Sequence, residues 1–330
     1  MRPAALAAAA LLLALPVHAG RWTDGSHRSW KGFLVHAPLV WPSREYRLYL
    51  PDGIPEQQPA PLVVMLHGCK QDPDAFAAGT RMNRLADRHG FLVLYPRQSP
   101  LQNAQHCWNW FDAASQRGWG EAAIIAGMVE AVAKRHPVDR RRVYVAGLSA
   151  GGAMTSILAA CHAGLFAAAA IHSGVAYKAA ASPWTALSAL EKGGGTPPAE
   201  AGRDAWKCSG AGRLAMPVIV IQGEADERVR PVNAGQIVEV FAQMNDLADD
   251  GRDNDSVNAR ATSARTEAVP GGRSYLVREY SAGGRTLIKE YRVQGMAHAW
   301  SGGDESQPYN DRFGPDASAL IWEFFSRHTR

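Results

Sequence analysis

The strand-like run Arg142-Val143-Tyr144-Val145-Ala146 passes without a break into Gly147-Leu148-Ser149-Ala150-Gly151-Gly152, and a stretch of mostly small and apolar residues continues to Ala160. No other stretch constrains the fold as much. The run has the length of a buried strand, and the residues after it suit a helix. Gly-x-Ser-x-Gly between strand and helix makes a sharp turn. The serine stands on it with strained backbone angles, and side chains at the flanking positions would collide. Two competing serines lack that setting: Ser173 follows Ile171-His172 with no glycine before it, and Ser209 is expected in a loop.

The remaining pattern supplies the sheet that such a turn needs. Continuous apolar runs at 62–66, 91–95, 167–171 and 218–221 have the form of strands covered on both faces. Helical stretches lie between them at 75–89, 121–136 and 150–160. Alternating strands and helices imply an α/β architecture, a mostly parallel central sheet with helices on both faces and right-handed crossovers. Residues 33–36 and 46–50 read as short N-terminal strands, antiparallel to that sheet, and 51–61 as a Pro-rich loop. Residues 274–280 and 286–293 flank Ser281-Ala282-Gly283-Gly284, the pattern of a late hairpin. An amphipathic helix is expected over 317–327. The polar stretch 245–272 is expected to be an exposed loop insertion, and 20–330 a single catalytic domain.

Residues 1–19 have the form of a secretory signal: Arg2, an apolar stretch over 4–15, the helix breaker Pro16, then Val17-His18-Ala19. The apolar stretch is short for a membrane span. Export to the periplasm or beyond is therefore expected, with no membrane association after cleavage. In an oxidising compartment the four cysteines are read as disulfides, with three connectivities open. A formal charge of +4 is too small for a dedicated nucleic-acid binder. With neither Cys-x-x-Cys nor His-Glu-x-x-His, no metal site is expected.

A serine hydroxyl needs a general base held by a carboxylate, and on this architecture the chain order is serine, acid, histidine. Downstream of Ser149 stand His162, His172, His298 and His328. His298, in the loop after the last strand, is the candidate base; the others fit structural or surface roles. Strand 218–221 ends near Glu224, Asp226 and Glu227. Asp226, three residues past Gly223, is the candidate acid, because the loop can turn there towards His298. The oxyanion of an acyl-transfer intermediate needs backbone N–H donors. Ala150 follows the nucleophile, and Cys69 lies in the loop after strand 62–66. His67 precedes the serine and is expected to brace that loop.

Four segments together resemble one known family: Leu66-His67-Gly68-Cys69-Lys70-Gln71, Cys107-Trp108-Asn109-Trp110-Phe111, Gly147-Leu148-Ser149-Ala150-Gly151-Gly152, and Gly295-Met296-Ala297-His298-Ala299-Trp300-Ser301-Gly302-Gly303. The chain resembles the polyhydroxybutyrate depolymerase family of esterases over roughly residues 30–327. The resemblance implies an α/β-hydrolase fold and a secreted serine esterase without metal or organic cofactor. It implies Ser149, Asp226 and His298 as triad, with Cys69 and Ala150 at the oxyanion hole. Cys69 and Cys107 lie beside family motifs, so their pairing is expected, leaving Cys161 for Cys208. Trp108, Trp110 and Trp300 are candidates for a polymer-binding cleft, against a core role for Trp108 and Trp110. No separate polymer-adsorbing domain is expected after the closing helix. The implied substrate is a polymeric or oligomeric ester of the polyhydroxyalkanoate type. The alternatives are poly(aspartic acid), whose mark would be a groove drawing on Arg81, Arg84, Arg228, Arg230 and Arg273, and feruloyl or acetylxylan esters. A non-catalytic polymer-binding protein on the same scaffold is the reading from another class.

Overall fold

The computed structural model describes residues 20–33, 42–55, 57–210 and 214–330. Ten strands form one sheet: β1 (Arg21–Arg28), β2 (Ser43–Leu50), β3 (Ala60–Leu66), β4 (Leu92–Pro96), β5 (Val138–Leu148), β6 (Ala168–His172), β7 (Val218–Gly223), β8 (Ser263–Ala268), β9 (Ser274–Ala282) and β10 (Arg285–Val293). Their order is β1-β2-β4-β3-β5-β6-β7-β10-β9-β8. From β4 to β10 every pairing is parallel. The pairs β1–β2, β2–β4, β9–β10 and β8–β9 are antiparallel. A short ribbon, β11 (Trp300–Ser301) with β12 (Asn310–Asp311), stands apart from the sheet.

Alternation along the central strands splits the core in two. Leu62, Val64, Leu66, Val143, Val145, Val218 and Val220 face one side. They pack under α3 (Gly120–Arg135), α4 (Ala150–Cys161), α5 (Pro183–Lys192), α6 (Pro198–Cys208) and α7 (Val232–Asp250). Val63, Met65, Tyr144, Ala146, Ile219 and Ile221 face the other, under α1 (Pro73–Thr80), α2 (Met82–His89) and α8 (Ala317–Ser326). Because both faces are covered, the strands need apolar residues at every position, which is why they read as unbroken runs.

Several expectations need correction. The helix expected over 75–89 is two, broken where Arg81 takes φ 56° and its guanidinium donates to the carbonyl of Gly302. The strand expected over 33–36 lies, except for Phe33, outside the described residues, as does the signal segment 1–19. The strand that pairs with β2 is β1, which the sequence reading missed. The stretch 245–272 is not one loop. Its first residues continue α7, where buried Asn245 accepts from the Met216 N–H (2.6 Å) and donates to the Met216 carbonyl (3.1 Å). Residues 263–268 form the exposed edge strand β8, and the loop proper is 251–262. Cys208 and Ser209 lie at the end of α6 rather than in a loop.

Candidate active site

Strand β5 enters the turn at Leu148, and Ser149 adopts φ 57° and ψ −120°. Such a backbone is uncommon for a residue with a side chain and is retained only where its surroundings enforce it. The Ser149 N–H donates to the His172 carbonyl of β6 at 2.9 Å, and the Ser149 carbonyl accepts from Ala153 in α4 at 2.9 Å. The glycines on either side are steric requirements. A Cβ on Gly147 would lie 2.3 Å from the Gly151 oxygen, and one on Gly151 would lie 2.1 Å from the Leu66 oxygen.

Asp226 follows β7, and His298 lies between β10 and β11. They meet across 72 residues, His298 Nδ1 lying 2.7 Å from Asp226 Oδ2. The other carboxylate oxygen, Oδ1, accepts the N–H groups of Arg228 and Val229 at 2.9 Å each. Gln222 Nε2 reaches Oδ2 at 3.2 Å. Burial by itself would raise the Asp226 pKa. The His298 hydrogen bond and charge and the two backbone N–H groups outweigh it and hold the carboxyl below its ordinary value. Asp226 is thus an anion at neutral pH and can only accept, so Nδ1 of His298 donates in this hydrogen bond and Nε2 is the nitrogen not bound to Asp226. Glu224 pairs instead with Arg292 at 3.3 Å, and Glu227 is exposed.

His67, His172, His162 and His328 have partners within the fold. His67, wholly buried, has its Nδ1 2.8 Å from the Gly68 carbonyl, and its Nε2 accepts from the Gln98 N–H at 3.2 Å. Burial pushes its pKa down to about 4, so it is a neutral brace at pH 7. His172 accepts from the Ser301 N–H at 3.0 Å and stacks on Trp300, with ring centroids 4.9 Å apart. Burial lowers it to about 3, and it ties the His298 loop to the sheet. His162 bonds the Gly118 carbonyl at 2.9 Å, and His328 packs on Phe324, with ring centroids 4.5 Å apart.

The loop after β3 is held from below. Glu121 of α3, fully buried, accepts from Arg44 (2.5 Å), from Gln98 (2.5 Å), and from the Asn109 backbone (2.6 Å) and side chain (2.7 Å). Gln98 also donates to the Cys107 carbonyl at 2.9 Å. Cys107 is bonded to Cys69, and Cys161 to Cys208, the pairing expected. Gln71 accepts the Gly68 N–H at 2.9 Å. Among the described residues, the N–H groups of Cys69 and Ala150 have no hydrogen-bond acceptor within the protein.

The three tryptophans offered as cleft residues are core. Trp108, Trp110 and Trp300 are at most 4% exposed. Trp108 donates to the His67 carbonyl at 3.1 Å and Trp300 to Ser318 at 3.2 Å. Their indole N–H groups are used inside the fold, as buried tryptophans require.

Ser149 and His298 open into one cavity of about 150 Å³, lined also by Gly68, Cys69, Lys70, Gln71, Leu190, Arg228 and Tyr309. Leu190 comes from α5, and Tyr309 precedes β12 at φ 62°. Neither carried a motif, and both reach the site only through tertiary packing. Of the arginines offered for an anionic groove, Arg228 lines this cavity. Arg81 and Arg273 are committed to the Gly302 carbonyl and to Asp311.

Residues 44–270 match the family model described as esterase PHB depolymerase. Poly(3-hydroxyalkanoate) depolymerase C of Paucimonas lemoignei is 35% identical over 252 residues, covering 76% of this chain and 57% of that protein. Poly(3-hydroxybutyrate) depolymerase of Ralstonia pickettii is 27% identical over 329 residues, 91% of this chain and 61% of that protein. Feruloyl esterase B of Neurospora crassa is 37% identical over 131 residues, 39% of this chain and 43% of that protein. The chain therefore spans less than two thirds of the length of each of these curated relatives. Among solved structures, the acetyl xylan esterase from Aspergillus awamori superposes with a TM-score of 0.65 at 22% identity, over 86% of this chain and 94% of that one. The fold is that of the α/β-hydrolase esterases.

Proposed function

This chain belongs to the PHB depolymerase family of esterases, and from that premise we propose that it is a serine hydrolase cleaving a polymeric or oligomeric ester of the polyhydroxyalkanoate type. One observation carries the reading: a serine on a strained elbow shares a cavity with a histidine that is hydrogen-bonded at 2.7 Å to a buried aspartate. Ser149 Oγ attacks the ester carbonyl as His298 Nε2 takes its proton. Asp226 keeps the imidazole in the needed tautomer and stabilises the imidazolium. The N–H groups of Cys69 and Ala150, without an acceptor among the described residues, meet the oxyanion. Collapse expels the alcohol, protonated by His298, and leaves Ser149 acylated. Water activated by His298 then releases the acid. No step calls for a metal or an organic cofactor.

The Ser149→Ala protein is expected to fold normally and to lose about 10⁶ in kcat on hydroxybutyrate oligomers, the cost of removing the nucleophile in a comparable triad. Residual turnover above a few per cent, measured on freshly purified protein, would remove Ser149 from this role. Two disulfides support a location outside the cytoplasm, periplasmic or extracellular.

Hydrolysis of poly(aspartic acid) is the second reading, supported by the two cations Lys70 and Arg228 on the cavity wall. Product masses after incubation with hydroxybutyrate oligomers and with poly(aspartic acid) distinguish the two.

A further inference from the structure

The catalytic cavity is small, and its charge is one-sided. Lys70 follows the oxyanion-loop cysteine, with its own N–H bound to the Gln105 carbonyl at 2.7 Å and φ 61°. Arg228 is two residues past Asp226, and its N–H is fixed to that carboxylate at 2.9 Å. Its guanidinium lies 5.7 Å from the Tyr309 ring centroid, and that ring is 6.5 Å from the His298 imidazole. Both backbones are thus pinned, Lys70 to the loop that leads to Cys107 and Arg228 to Asp226. Among the described residues no carboxylate lies within ion-pair distance of Lys70 or Arg228. Asp226, whose carboxylate holds the Arg228 N–H, is 1% exposed and already has its two oxygens bonded to four donors. Two cations without counter-ions, on the wall of a cavity of about 150 Å³, concentrate anions there. An arginine fork beside a lysine suits a carboxylate.

We propose that Lys70 and Arg228 form a carboxylate subsite beside Ser149, so that the scissile bond is chosen by its closeness to an anionic group of the substrate. This rests on the ester-hydrolase reading of the same cavity and adds to it. An uncapped oligomer of a hydroxy acid supplies such a group at its carboxyl terminus, which would make cleavage start at that end. A polyanion such as poly(aspartic acid) supplies it at every residue.

The test compares a hydroxybutyrate trimer bearing a free carboxylate with its methyl ester, and adds poly(aspartic acid) as a third substrate. At low salt the free acid is expected to be favoured about ten-fold in kcat/KM, the scale of two partly exposed ion pairs. Added salt should shrink the ratio as it screens them. In the Lys70→Met/Arg228→Gln double variant the ratio should fall towards one, and each single variant should fall part of the way. Cleavage of poly(aspartic acid) that is weakened in the double variant identifies internal carboxylates as a source the subsite accepts. A ratio near one in the unsubstituted protein, or one that the double variant leaves unchanged, overturns the subsite and leaves the ester-hydrolase reading standing. Inactivity towards both trimers and the polymer overturns that reading, and the subsite with it.

Discussion

Asp226 is the residue on which the site's charge balance turns. Its carboxyl is held ionised against burial by His298 and two backbone N–H groups. Asp226→Asn keeps the shape but offers an N–H where the imidazole needs an acceptor, so His298 is driven into the tautomer that cannot take the serine proton. A loss of about 10⁴ in kcat with little change in KM is expected, as for the same change in another triad. If the activity survives Asp226→Asn and disappears with Glu224→Gln, the acid has been misassigned. Trp108 makes a different kind of prediction. Its ring is fully buried and its N–H clamps the carbonyl of His67. Trp108→Ala should therefore cost about 3–5 kcal/mol of stability, seen as a lowered midpoint in urea. A selective rise in KM at unchanged stability would instead return Trp108 to the cleft.

The two disulfides join different elements and should fail differently. Cys161–Cys208 ties the ends of α4 and α6, away from the cavity, and closes a loop of 47 residues. On the chain-entropy account, removing it costs about 4 kcal/mol. The Cys161→Ser/Cys208→Ser protein should unfold at lower denaturant while keeping its kcat at 25 °C. Cys69–Cys107, with a separation of 38 residues, holds the loop after β3, where the Cys69 N–H lies. On the proposed role of the Cys69 N–H, its removal should lower kcat as well as stability, because a donor to the oxyanion that drifts loses most of its effect. Equal kcat in both double variants would show that the second bridge has no part in positioning that donor. The buried Glu121 cluster supports the same loop by a separate route, through Gln98 to His67 and to the Cys107 carbonyl.

For the whole molecule, the buried histidines govern behaviour in acid. His67 and His172 lie inside the fold with pKa values pushed down to about 4 and about 3, chiefly by burial. Between the ordinary histidine value of about 6.5 and those depressed values, the unfolded chain binds protons that the folded chain does not. Stability must then fall as pH is lowered from about 6.5 towards 4, by about 1.4 kcal/mol per pH unit for each such group. Urea midpoints that stay flat between pH 7 and 4.5 would show that these two histidines are not buried neutral. The parallel sheet, the elbow and its serine could be read from the sequence, because each rests on local chemistry: apolar runs long enough for strands and glycines where a Cβ has no room. The loops carrying Asp226 and His298 could be read too, since chain order on this architecture leaves few candidates. The break at Arg81, the strand β1 and the helical start of 245–272 could not be read. Each depends on a distant partner: the Gly302 carbonyl, strand β2 and the Met216 backbone. The cavity wall is a tertiary product in the same sense. Leu190, Arg228 and Tyr309 belong to three segments with no shared pattern, and only the packing of α5 and the loops before α7 and β12 sets them around Ser149. Short-range sterics and hydrophobic periodicity are written residue by residue. Which aromatic is core and which charge is left unpaired depends on contacts between residues far apart in the chain, and so only the folded structure decides it.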